Sequence, residues 1–132
     1  MENTPLDSPL GKASGVRRII AATRYSMQGL VRLCREQAFR HEVYAFCAGL
    51  ALFAIIGAAA IDYFIFLILT LLLFCVEALN TAIEELVDRI SPEISTVGRH
   101  AKDLGSFAVF CMLTANGLFV LYVLVKPFFR LH

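Results

Sequence analysis

Four polar residues, Glu77, Asn80, Glu84 and Asp88, recur at i, i+3, i+7 and i+11 in a stretch that is otherwise mostly apolar. On an α-helix that spacing confines them to about 80° of arc, one continuous face. Carboxyls stacked on one face suit two tasks, general-base catalysis and the holding of a divalent cation. The stripe follows directly on the apolar run Tyr63 to Val76, so it begins inside an apolar layer. Glu77 is fifteen residues past Asp62, about 22 Å along a helix axis. That depth leaves it short of the inner membrane surface. Glu84 lies seven residues further, about 10 Å, at or just beyond that surface. Ionisable groups inside a membrane are costly and mark functional sites, so Glu77 is the candidate base. Glu84, nearer water, is placed to hold a hydrated cation with a soluble phosphate donor. Asn80 suits a helix-to-helix hydrogen bond equally well. Asp88 with Arg89 reads as a solvated helix end.

More polar residues gather at the same depth. Glu36 and Glu42 frame the approach to the first apolar run, and Lys102 and Asp103 precede the third. Several acids and a lysine at one membrane depth point to Mg²⁺ and phosphate chemistry. The sequence holds neither a Walker A motif nor a kinase glycine loop, which excludes the familiar soluble nucleotide folds.

The elements that must position these residues follow from composition and run length. The chain has 132 residues, 58% hydrophobic and 17% charged, with a mean hydropathy of +0.70. Soluble domains are about 45–50% apolar and about 25% charged. The departure argues against a soluble enzyme, a disordered regulator and a disulfide scaffold. A net charge of +1 provides no basic field for nucleic acid. Cys34, Cys47, Cys75 and Cys111 form no CxxC pair and read as buried small hydrophobes.

Residues 1–15, with Pro5, Pro9, Gly11 and Gly15, read as a disordered tail ahead of a single domain over 16–132. Three spans are expected, at about 43–61, 63–87 and 106–125, with a turn at Asp62. A surface helix is expected at about 16–40. Val16, Ile20, Thr23, Met27, Leu30 and Cys34 share its apolar face, and Arg17, Arg24, Gln28 and Arg35 lie to one side. Seven Lys and Arg precede the first span, three lie between the second and third, and two follow the third. That asymmetry predicts a cytoplasmic N-terminus and a periplasmic C-terminus. The fold class is an all-α membrane protein.

The order Arg18-Ile-Ile, Tyr25-Ser26, Glu36-x-Ala-Phe-Arg-x-Glu42, Glu77-x-Leu-Asn80-Thr-Ala-Ile-Glu84-x-x-Val-Asp88-Arg89 and Ala101-Lys102-Asp103-x-Gly105-Ser106 carries a further signal. It resembles the small integral-membrane prokaryotic diacylglycerol kinase family of Gram-negative type, from residue 16 to about residue 125. The resemblance implies a homotrimer with active sites between subunits, three spans and a surface helix per chain, in the bacterial inner membrane. It implies transfer of the γ-phosphoryl group of MgATP to diacylglycerol, giving phosphatidic acid. By the same match Glu77 is the base, and Glu36 and Glu84 hold the metal with ATP. Arg18, Tyr25, Glu93, Lys102 and Asp103 would contact ATP. Asn80 and Ser106 would lie by the base and the lipid, and Ala38, Phe39, Arg40 and Glu42 would border the lipid entry. Met27 and Cys34 stand where the family often has tryptophan. An undecaprenol kinase is the alternative within the same chemistry. A small proton-coupled transporter is the alternative from another class, disfavoured by an odd number of spans and by charges outside the bilayer.

Overall fold

The computed structural model describes residues 15–90, 93 and 95–130. The helices in chain order are α1 (Gly15–Leu33), α2 (Gln37–Ile56), α3 (Ala60–Ile90) and α4 (Thr96–Phe129). There is no strand among the described residues. The last three helices are long and apolar enough to cross a membrane. The chain divides into two units, Met1–Arg35 and Glu36–His132.

The first unit contributes α1, which opens at Gly15, inside the stretch expected to be a tail; residues 1–14 lie outside the described residues. Val16, Ile20, Met27 and Leu30 of the expected apolar face are all exposed. The helix stops at Leu33, short of the expected residue 40. A turn follows, closed by Cys34 N–H to Leu30 O at 2.9 Å and Arg35 N–H to Arg32 O at 3.1 Å. Glu36 then takes an extended backbone, φ −79° and ψ 129°, and starts α2. Neither glycine nor proline marks this break, so periodicity runs through it unchecked. Ala38, Phe39 and Arg40 consequently belong to the first membrane-crossing helix.

In the second unit, α2 ends where Gly57 adopts φ 67°, a left-handed conformation that glycine reaches without a Cβ clash. Ala58 N–H closes the end on Phe53 O at 2.9 Å. The expected turn at Asp62 is therefore at Gly57–Ala59, and Asp62 lies in the first turn of α3. Its Oδ2 accepts from Ala59 N–H at 3.2 Å, as a capping-box acid does. The charge that suggests a break instead starts a helix. Asp62 is also buried, and it pairs with Lys126 near the end of α4. At the other end of α4, the Ser95 hydroxyl accepts from Gly98 N–H at 3.0 Å. The 31 residues of α3 measure about 46 Å, longer than a hydrocarbon layer of about 30 Å. The excess at its C-terminal end carries the lower stripe.

The core is small. Phe53, Phe66 and Val123 are its buried centre, with Phe46, Leu50, Tyr63, Phe119 and Val120 against them. Phe53 meets Phe66 at 5.1 Å and Tyr63 at 5.6 Å between ring centroids. Gly49 makes room for this layer, since a Cβ there would stand 2.6 Å from the Phe66 ring. Further along, Thr70 donates to Asn116 Oδ1 at 3.5 Å, and Asn116 Nδ2 donates to Leu69 O at 3.2 Å, joining α3 to α4. Much of the buried set is polar, while Leu71, Leu79, Phe107, Phe110 and Leu121 are exposed. That arrangement suits a chain solvated by lipid. All four cysteines are exposed, contrary to expectation. The same arrangement accounts for Cys47, Cys75 and Cys111, because a small apolar side chain facing lipid on a long helix needs no protein cover; Cys34 lies in the turn after α1.

The Asp62–Lys126 pair gives a direct test. Lys126→Met leaves a buried carboxylate alone and is expected to lose about 3 kcal/mol, measured by denaturant unfolding in micelles. Asp62→Asn combined with Lys126→Met should recover most of the loss. Unchanged stability in Lys126→Met would show that the pair contributes nothing.

Candidate functional site

The stripe on α3 is graded from dry to wet. Glu77 is 5% exposed and Asn80 8%; Glu84 is half-buried and Asp88 exposed. This follows the order that helix rise assigns to them. Asn80 sits one turn before Glu84 and donates from Nδ2 to Glu84 Oε1 at 3.2 Å. Glu42 is buried on α2, and its carboxyl lies beside that of Glu77. Glu42 Oε2 has no hydrogen-bond partner among the described residues. Glu84 and Glu36 lie within electrostatic reach of Glu77. Lys102, in the first turns of α4, pairs with Asp88 and also feels Glu84.

The second unit thus brings Glu36, Glu42, Glu77, Asn80 and Glu84 into one acidic neighbourhood, with Lys102 at its edge. Asp88 belongs with them as the partner of Lys102, a role its place beside Arg89 does not disclose. The contact of Glu42 with Glu77 also escapes the sequence, because it joins different helices. Its only trace there is a similar depth. Behind Glu42 lies a cavity of about 280 Å³, lined also by Phe46, Phe66, Thr70, Leu73 and Asn116.

The remaining expected site residues differ in exposure. Ala38, Arg40, Asp103 and Ser106 are exposed. Phe39 is buried edge-on against Phe74, with centroids 4.8 Å apart. Glu93 is exposed in the connection between α3 and α4. In the first unit, Arg18 and Tyr25 are exposed on α1, where Arg17, Arg24, Tyr25 and Gln28 line a groove of about 360 Å³.

No three His, Cys, Asp or Glu side chains among the described residues form a metal cage. A Mg²⁺ ion does not need one. It binds through one or two carboxylates and completes its shell with water and phosphate oxygens. The hard oxygen donors of Glu36 and Glu84 fit that mode.

Comparison with known proteins places these features in context. Residues 24–124 match the family model described as prokaryotic diacylglycerol kinase. A diacylglycerol kinase from Sinorhizobium sp. is 51% identical over 117 residues, covering 89% of this chain and 85% of that protein. The diacylglycerol kinase of Haemophilus influenzae is 37% identical, covering 81% of this chain and 92% of its own length. That of Escherichia coli K12 is 38% identical, over 73% and 80% respectively.

The Asp88–Lys102 pair is solvated, with side chains 66% and 41% exposed. Water screens such a pair. Asp88→Asn should therefore leave the unfolding midpoint in a denaturant titration nearly unchanged. A clear loss would make the pair a structural tie.

Proposed function

This chain belongs to the prokaryotic diacylglycerol kinase family and is a lipid kinase, and from that premise we propose that it phosphorylates diacylglycerol with ATP at the cytoplasmic face of the inner membrane. The product is phosphatidic acid. The observation that carries this reading is the graded stripe, a dry carboxyl at Glu77 leading in two turns to a half-wet one at Glu84. One end suits an acceptor that stays in the lipid, the other a donor that comes from water. The names of the relatives favour diacylglycerol as the acceptor.

The lipid hydroxyl is placed at Glu77, with the apolar part of the substrate towards the cavity behind Glu42. Glu77 takes the hydroxyl proton as the oxygen attacks the γ-phosphorus. The new O–P bond forms as the bond to the β-phosphate oxygen breaks, and ADP leaves with that electron pair. Glu36 and Glu84 would hold Mg²⁺, which when bound with ATP neutralises charge on the phosphates. Asn80 orients Glu84 through its amide. Lys102, anchored by Asp88, presents positive charge to the nucleotide. Glu93, Asp103, Arg18 and Tyr25 are assigned to ATP, and Ser106 with the 38–42 segment to the lipid, on the family pattern. The apolar faces left open on the three long helices suit lipid and further copies of the chain, in keeping with a homotrimer.

The deciding experiment offers diacylglycerol and undecaprenol separately to the purified chain in mixed micelles with Mg²⁺ and γ-labelled ATP. Label is expected mainly in phosphatidic acid. Label mainly in undecaprenyl phosphate would overturn the acceptor and keep the site. Label in neither, from folded protein, would overturn the proposed activity. Glu77→Gln should lower turnover about 10²- to 10⁴-fold while nucleotide still binds; retained turnover would remove Glu77 as the base. Glu84→Gln should raise the Mg²⁺ and ATP concentrations for half-maximal rate. Unchanged midpoints would remove it as a metal ligand.

A further inference from the structure

Gly105 stands directly against Asn80 of the acidic cluster. It is buried on α4, three residues past Lys102. A Cβ built there would overlap Asn80 Oδ1 and stand 3.3 Å from Asn80 Cγ and 3.7 Å from Asn80 Cβ. All three nearest atoms belong to one side chain. The missing side chain therefore makes room for the Asn80 amide. Asn80 Oδ1 itself is buried with no hydrogen-bond partner among the described residues. Its Nδ2 is committed to Glu84 Oε1 at 3.2 Å. Turning the amide over would set an acceptor against an acceptor, so Glu84 selects the orientation and Gly105 leaves space for the oxygen.

We propose that Gly105 is a positioning residue, a seat on α4 that holds the Asn80 amide so that it orients the Glu84 carboxylate. The functional side of this rests on the kinase reading above, in which Glu84 holds Mg²⁺ with ATP. Any larger residue at 105 displaces the amide, and Glu84 loses its donor.

The test is a cycle of four chains: unsubstituted, Gly105→Ala, Asn80→Ala and the double variant. The Mg²⁺ midpoint of lipid phosphorylation is read in each. Gly105→Ala is expected to raise it about fivefold when Asn80 is present, a coupling ordinary for residues in contact. In the Asn80→Ala background the same change should move it less than about twofold. Equal effects in both backgrounds would overturn the proposal and leave Gly105 a packing residue. A second readout needs neither metal nor turnover, namely the side-chain amide ¹⁵N–¹H resonances of Asn80 in micelles. They should shift in Gly105→Ala and in Glu84→Gln. Resonances that stay put in Gly105→Ala would overturn the seat even if rates change. If the unsubstituted chain transfers no label, the kinase reading falls, and the resonances still decide the positioning. If Gly105→Ala alone fails to fold, a double variant that folds identifies the Asn80 clash as the cause. If neither folds, the seat is overturned.

Discussion

A carboxyl set inside a hydrocarbon layer has to be met by other polar groups of the protein, because the layer supplies none. Glu77 imposes that demand here, and much of the fold answers it. The stripe of α3 turns inward, and leucines and phenylalanines turn outward. Glu42 on α2 comes up against Glu77, and Asn80 fills the next turn and passes its amide to Glu84. On the far side α4 closes in where it carries Gly98 and Gly105, both buried. The Thr70–Asn116 contact continues the polar seam between α3 and α4 away from the site. What would be the core of a soluble domain is reduced to an aromatic layer around Phe53 at the opposite end.

On the function proposed above, this arrangement lets a lipid kinase manage without a nucleotide-binding fold. Phosphoryl transfer asks a protein mainly for position and charge, with little covalent chemistry. A single helix longer than the bilayer is thick provides a ruler on which both can be graded. Residues one or two turns apart differ in access to water while remaining rigidly spaced. An apolar acceptor and a charged donor can then meet along one helix face without either leaving its own solvent.

Much of this was legible before any coordinates because it depends on periods and lengths. The spacing of Glu77, Asn80, Glu84 and Asp88 fixes one face, and helix rise fixes their order of burial, which the exposures follow. Three long apolar helices were equally plain. Pairings between helices were not. The meeting of Glu42 with Glu77, and of Asp88 with Lys102, depends on which faces pack, and no local pattern encodes that. Pattern misplaces helix ends where chemistry pulls against it. Asp62 reads as an interruption until its distant partner Lys126 is known, and the true stop, Gly57, looks like one small residue among alanines. The break before Glu36 has no glycine or proline to announce it. The cysteines were misplaced by a rule of burial that belongs to water-soluble proteins.

The tie between Asp62 and Lys126 also bears on how the chain comes to be in a membrane at all. The two residues are 64 positions apart, at the start of α3 and near the end of α4. Either charge alone resists transfer from water into a protein surrounded by lipid, whereas the pair is formally neutral. The first to be made, Asp62, must wait for 64 further residues before its counter-charge exists. Biogenesis is then a problem of timing. Until α4 has been synthesised, the head of α3 has to stay in contact with water or with the insertion machinery. Final seating of α3 is then set by the arrival of a lysine 64 positions further along the chain.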